Sequence, residues 1–368
     1  MNLGLFVIGA FVLSACIGWL TIPRIVLISK KKKLFDALSE RKSHTGSIPR
    51  LGGVSFFPSF MFALSLTVGL RYFYGMDISP LFEMEAFKEF LFLLAGATIL
   101  FFIGMADDLS GLSYRSKLLA QFIAAVILIY AGVGINDLGG LFGIHHVHPV
   151  IGSLLSILVI LLLTNAYNLI DGIDGLCSGL SLLALFTFGI WFWVHDIYIY
   201  AMMAMAMAGV VAVFFFFNVM GHRLKIFMGD TGSLLLGYLI AFLGLKFYDL
   251  NIGAEYAQMQ AAPSVFLGIV FIPAFDTLRV FFVRMSLELS PFYPDRRHIH
   301  HKMLALGLTH LQSTLIIILI QTFFIFLNLS LKNININILF ALDILLGVLL
   351  IFFLNRLAAR RQQTLSKK

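Results

Sequence analysis

IGSLLSILVILLLTNAYNLIDGIDGL, residues 151–176, joins in one stretch the two features that decide how this chain folds. Its first part, 151–168, is an apolar run long enough to cross a bilayer. Backbone groups in lipid must be satisfied within the segment, so such a run has to be a helix. Its end is polar. Asn165, Asn168 and Asp171 recur every three residues, which keeps them on one broad face of a helix. Gly172 and Gly175 let the backbone turn closely against a ligand and leave Asp174 exposed. A polar cap and turn would explain one Asp-Gly, but not two in register after two asparagines. A polar face ending a lipid-compatible helix implies a water-filled cleft.

The pattern extends along the chain. Charged residues make up 12% and hydrophobic residues 60%, with mean hydropathy +0.95, where a soluble domain carries about 25% charge. Eleven runs are long enough to span, near 3–23, 51–70, 91–106, 117–135, 151–168, 178–195, 198–217, 231–247, 263–287, 314–331 and 336–355. Runs 91–106 and 231–247 are short, and 263–287 carries Pro273 and an Asp276–Arg279 pair that can break it. The expected fold class is all-α: one polytopic membrane domain over 1–368 with ten or eleven transmembrane helices and no linker. The Met-Ala run 201–208 reads as a helix packed closely on its neighbours.

Orientation follows from the basic residues. If 24–50 is inside, the inside segments hold 21 of the 26 lysines and arginines, the outside segments hold Arg71, Lys88, Lys246 and Lys332, and Arg279 lies within a span. That bias puts the N-terminus outside and the C-terminus in the cytoplasm. Residues 1–23 do not read as a cleaved signal, because the positive charges follow the apolar run. The net charge of +7 is accounted for by this topology and by anionic headgroups, so no nucleic-acid partner is expected. Cys16 and Cys177 suggest neither a disulfide nor a catalytic thiol, and His145, His146 and His148 read as a solvated outside loop.

The motif-dense segments all fall on the predicted inside: RKSHTGSIPRLGG (41–53), MADDLSGLSYRSK (105–117), NAYNLIDGIDGL (165–176), FMGDTGS (227–233) and PDRRHIHHKM (294–303). The outside segments carry no matching cluster, which argues against a transporter of lipid-linked sugars. Asp107 and Asp108 repel each other unless a proton or cation offsets them. Hard oxygen ligands favour Mg²⁺, with Mn²⁺ as the alternative. Asp230 lies between glycines, with Thr231 and Ser233 expected to cap the next span and free N–H groups nearby. Opposite these acids stand Lys42, His44, Arg50, Arg297, His298, His300 and His301. The histidines lack the cysteine or close acid that would complete a zinc site, and phosphate binding suits them better. Acidic metal ligands with basic anion binders are the components of phosphoryl transfer.

Those motifs, in that order, with FIPAFDTLRV and GLTHLQ further on, resemble the polyprenyl-phosphate N-acetylhexosamine-1-phosphate transferases of bacterial envelope synthesis; the likeness covers 41–313. It implies a helical inner (plasma) membrane enzyme with a cytoplasmic active-site cleft. Its partners would be the membrane, a UDP-N-acetylhexosamine and a polyprenyl phosphate such as undecaprenyl phosphate, with release of UMP; a homodimer stays open. By resemblance Asp230 and Asp171 serve the metal and Asp107, Asp108, Asp171 and Asp174 the catalysis. Lys42, His44, Asn165, Asn168, Arg297, His298, His300 and His301 would bind substrate. The H-x-H-H form at 298–301 and Gly307–Gln312 resemble the branch that transfers N-acetylglucosamine 1-phosphate, the first step of lipid-linked envelope polysaccharides. The alternative is the phospho-N-acetylmuramoyl-pentapeptide branch. Leu109, Ser110 and Gly111 stand where some members carry a third acid.

Overall fold

The structure is a computed structural model that describes residues 3–34, 48–74, 80–252, 259–290 and 297–366. All eleven apolar runs form helix. They are α1 (Gly4–Lys32), α2 (Phe56–Phe73), α3 (Pro80–Ser110), α4 (Tyr114–Tyr130), α5 (Pro149–Ile170), α6 (Leu176–Val194), α7 (Tyr198–Met220), α8 (Gly229–Ile252), the pair α9 (Ala262–Ile269) and α10 (Phe271–Ser286), α12 (His310–Ser330) and α13 (Ile336–Ser366). A short α11 (Ile299–Ala305) lies outside the apolar runs. Among the described residues nine helices are long and apolar enough to cross a membrane, and the α9–α10 pair makes a tenth. With 17 residues, α4 is at the lower limit for a span, and it runs between the end of α3 and the start of α5 as the remaining candidate of the eleven. The two runs expected to be short are not: α3 has 31 residues and α8 has 24.

One feature departs from the all-helical expectation. Between α4 and α5, β1 (Asp137–Leu141) and β2 (Ile144–His146) form an antiparallel hairpin. Its turn residues Phe142 and Gly143 have φ of 55° and 75°, the left-handed pair that a two-residue turn needs to match strand twist. His145 and His146 lie exposed on β2, with His146 Nδ1 3.1 Å from Asp137.

Burial sorts the bundle. α8 and α7 are 89% and 83% buried over their apolar windows, while α13 is 22% buried. α8 is therefore the central post and α13 presents apolar side chains outward, as a lipid-facing helix does. The Met-Ala run lies wholly buried on α7. Where α3 crosses α8, a Cβ on Gly104 would lie 2.5 Å from the Thr231 Cα, so only glycine permits that approach. That crossing sets the end of α3 beside the start of α8.

The 263–287 run does break, by 85° at Val270. Pro273 in the first turn of α10 has no N–H to give the Ile269 carbonyl. Gln321 of α12 supplies the missing donor: its Nε2 donates to Gly268 O (2.8 Å) and Ile269 O (2.9 Å), and its Oε1 accepts the Ile272 N–H (2.9 Å). In lipid no water could do this, so the side chain holds the bend.

Candidate active site

Three helix ends meet at a cavity of about 710 Å³. The end of α3 contributes Asp107 and Asp108, the end of α5 Asn168 and Asp171, and the start of α8 Asp230; Asp174, Arg50 and Lys33 complete its charged lining. Asp108 reaches across to cap α8. Its Oδ1 accepts the Asp230 N–H (2.7 Å), and its Oδ2 accepts the Thr231 N–H (3.0 Å) and the Thr231 hydroxyl (2.5 Å). The expectation that Thr231 and Ser233 cap this helix is thereby corrected. Both lie inside the helix rather than at its cap, and the Ser233 hydroxyl bonds back to Gly229 O at 3.1 Å. A cap from a distant helix cannot be seen in local sequence. The PRLGG segment seats the same motif: Phe227 N–H donates to Pro49 O, Gly52 N–H to Phe227 O and Gly53 N–H to Met228 O.

Oxygens of Asp107, Asp108 and Asp230 lie within 4.8 Å of one another. Like charges so close need a proton or a cation to offset them. Lys117, in the first turn of α4, places its Nζ 2.7 Å from Asp230 Oδ2 and 3.2 Å from Asp107 Oδ2. The hard-oxygen donor set fits a divalent ion such as Mg²⁺. Of the expected metal pair, Asp230 belongs to this triad and Asp171 lines the same cavity beside it. Burial, with Asp230 and Asp108 nearby, pushes the Asp171 carboxyl up to about 7.

The asparagine segment divides. Asn168 Nδ2 donates to the Ser233 hydroxyl at 2.9 Å, tying α5 to α8 within the cavity wall. Asn165 turns to α4, donating to Gln121 Oε1 at 2.5 Å and to Leu161 O at 2.8 Å, and is not among the lining residues. Six residues of helix carry a side chain about 120° round the axis, which takes Asn165 off the Asp171 face. Asp174 is not an exposed acid but a paired one. Lys225 Nζ (2.7 Å) and His310 Nδ1 (3.2 Å) meet its Oδ2, and the Thr314 hydroxyl donates to its carbonyl at 2.7 Å. Burial alone would raise its pKa, but the bonds from His310 and Lys225 outweigh it and hold it below the ordinary carboxylate value.

Lys42 and His44 fall outside the described residues. The histidine loop stands behind the cavity wall, since Arg297, His298, His300 and His301 are not among its lining residues. Asp276 of α10 organises the loop from beneath. Its Oδ2 meets His298 Nδ1 (2.9 Å) and the Ile299 N–H (3.1 Å), while its Oδ1 accepts Arg279 (2.6 Å). Arg279 also donates to the Arg297 carbonyl at 2.6 Å. His298 is thus held as a strut at the start of α11. His300 is 2% exposed, with no partner for its Nδ1. Its ring presses on Gly172, where a Cβ would lie 2.4 Å from Nε2. Gly172 thus lines the cavity on one side and leaves room for the His300 ring on the other. Burial, followed by the nearby His301 and His298, pushes the His300 imidazole down to about 3, so it is neutral at physiological pH.

Residues 90–248, which hold every carboxylate of the cavity, match the model of glycosyl transferase family 4. Over 296 residues the chain is 30% identical to an undecaprenyl-phosphate alpha-N-acetylglucosaminyl 1-phosphate transferase of Salmonella typhi, covering 79% of this chain and 75% of that protein. It is also 30% identical over 321 residues to a probable undecaprenyl-phosphate N-acetylglucosaminyl 1-phosphate transferase of Bacillus subtilis, covering 86% and 83%. The chain belongs to glycosyl transferase family 4.

In this family-4 transferase the sequence reading passed over Lys117, Lys225, His310 and Asp276 as site residues. Lys117 and His310 stand inside motifs quoted for other residues, MADDLSGLSYRSK and GLTHLQ. Asp276 read as a helix breaker; an acid beside Arg279 in an apolar run was the signal that it has an inward-facing partner.

Proposed function

We propose that this family-4 transferase moves N-acetylglucosamine 1-phosphate from UDP-N-acetylglucosamine to undecaprenyl phosphate at the cytoplasmic face of the bacterial inner membrane, releasing UMP. The observation that carries this reading is the convergence of Asp107, Asp108, Asp171, Asp174 and Asp230 with Arg50 and Lys33 in one cavity. The names of the relatives supply the donor and acceptor.

A lipid phosphate oxygen attacks the donor β-phosphorus, and the bond from that phosphorus to the bridging oxygen breaks. The bridging oxygen leaves with UMP, and the sugar phosphate stays on the lipid. With a second pKa near 6, the lipid phosphate is mostly ionised at pH 7 and needs little general-base help. Catalysis then consists of placing two anions and offsetting their charge. Asp230 and Asp107 would hold the divalent ion, with Asp108 limited by three accepted hydrogen bonds; the ion would supply charge neutralisation for the phosphates. Arg50 and Lys33 line the cavity, where they would meet the phosphates of the substrates. Asp174, already paired, fixes Lys225 and His310.

Purified protein with Mg²⁺, undecaprenyl phosphate and radiolabelled UDP-N-acetylglucosamine should yield labelled lipid and UMP. D230N should lose turnover by several orders of magnitude while staying folded. Transfer from UDP-N-acetylmuramoyl-pentapeptide alone would overturn the donor, and transfer from neither would overturn the reaction.

A further inference from the structure

We propose that Lys117 is a built-in counter-cation of the carboxylate triad, and that a divalent ion displaces its ammonium into the cavity on binding. The inference rests on the divalent-cation reading above. It begins with which carboxylate oxygens remain uncommitted. Asp108 is committed to capping α8 through three donors. Asp107 Oδ1 accepts the Leu112 N–H at 2.7 Å. The oxygens left to face one another are Asp107 Oδ2 and those of Asp230, and Lys117 bonds Asp107 Oδ2 and Asp230 Oδ2.

An ion that takes oxygen ligands at about 2.0–2.1 Å needs those same atoms. It cannot share them with an ammonium, because the two cations would be brought within a few ångströms in a partly buried setting. One must leave. The carboxylates are fixed by helix ends, whereas Lys117 hangs on a flexible four-carbon stem from a helix start that Ser113 anchors through the Ser116 N–H at 3.2 Å. The side chain is the part that moves, and the cavity of about 710 Å³ lies beside it. The exchange has two consequences. Without a divalent ion Lys117 offsets part of the triad's negative charge and helps the site keep its shape. With one, the displaced ammonium joins Arg50 and Lys33 in the cavity lining, so the ion and an anionic substrate favour each other's binding.

Two measurements on the full-length protein in detergent test this. Mn²⁺ binding, followed by its electron paramagnetic resonance signal, should tighten roughly 5–150-fold in K117M and stay near wild type in K117R. In the wild type, acetylation of the Lys117 amine, read by peptide mass spectrometry against exposed Lys31, should rise severalfold when Mn²⁺ is added, because the ammonium leaves its two ion pairs. Unchanged or lower labelling in protein that binds Mn²⁺ overturns the displacement and leaves the cation reading standing. Failure of the wild type to bind Mn²⁺ overturns that reading and this inference with it.

Discussion

Replacing Asp108 with alanine should destabilise the protein more than removing any other carboxylate of the cavity, because Asp108 holds a helix. Three donors converge on it, from the Asp230 N–H, the Thr231 N–H and the Thr231 hydroxyl. Losing an N-cap costs about 0.5–2 kcal/mol. A donor left buried without a partner costs about 1–3 kcal/mol. Thr231 is 0% exposed, so water cannot readily reach its N–H, although its hydroxyl can rotate to another acceptor. Water in the cavity can serve the Asp230 N–H. The sum for D108A is about 1.5–5 kcal/mol. D108N keeps one accepting oxygen but turns an NH₂ toward a donor, so about 1–2 kcal/mol is expected. Asp230 has the opposite profile. Its side chain is 23% exposed and makes one ion pair, so D230N should cost no more than about 1 kcal/mol. Thermal unfolding of the three variants in one detergent, without divalent ions, ranks them. If D108A and D230N melt together, the capping argument is wrong.

Other expectations follow from the same geometry. D276N removes a charge that His298 and Arg279 share at 1% exposure, and breaking such a buried pair costs about 3–5 kcal/mol; the expected outcome is a large loss of thermal stability, and a shift of under 1 kcal/mol would refute it. His300 titrates near 3 in the fold against 6.5 ordinarily, so below pH 6.5 the unfolded chain takes up a proton that the folded one refuses. Stability should therefore fall as pH drops from 6.5, by about 2 kcal/mol at pH 5, and H300N should flatten that slope in a pH series of melts. Single cysteines at His44, Asp108, Asp230 and His300 should resist an impermeant thiol reagent in intact cells, while one at His146, on the exposed hairpin, should react. Labelling of all five would overturn the orientation.

What was legible in the sequence was whatever a local period or composition dictates. Apolar runs such as 151–168 must be helical in lipid, whatever surrounds them, so every run became helix. The acids Asp107, Asp108, Asp171 and Asp230 were legible as a group because charge at the end of an apolar helix has few other reasons to be there. Spacing misled where it was carried too far, since the turn of the helix takes Asn165 to Gln121 and away from the cavity. Partnership across the chain was not legible at all. No local rule says that Asp108 caps a helix beginning 121 residues later at Gly229, or that Gln321 supplies the bond that Pro273 cannot. Nor does any say that Lys117 lies between Asp107 and Asp230, or that Asp276 holds His298. These pairs are made by helix crossings that depend on close contacts such as Gly104 against Thr231. The sequence by itself determined which residues are polar at the helix ends. The tertiary structure decided which of them bind one another and which remain to face the cavity, because a buried polar group takes the partner that the packing brings within reach.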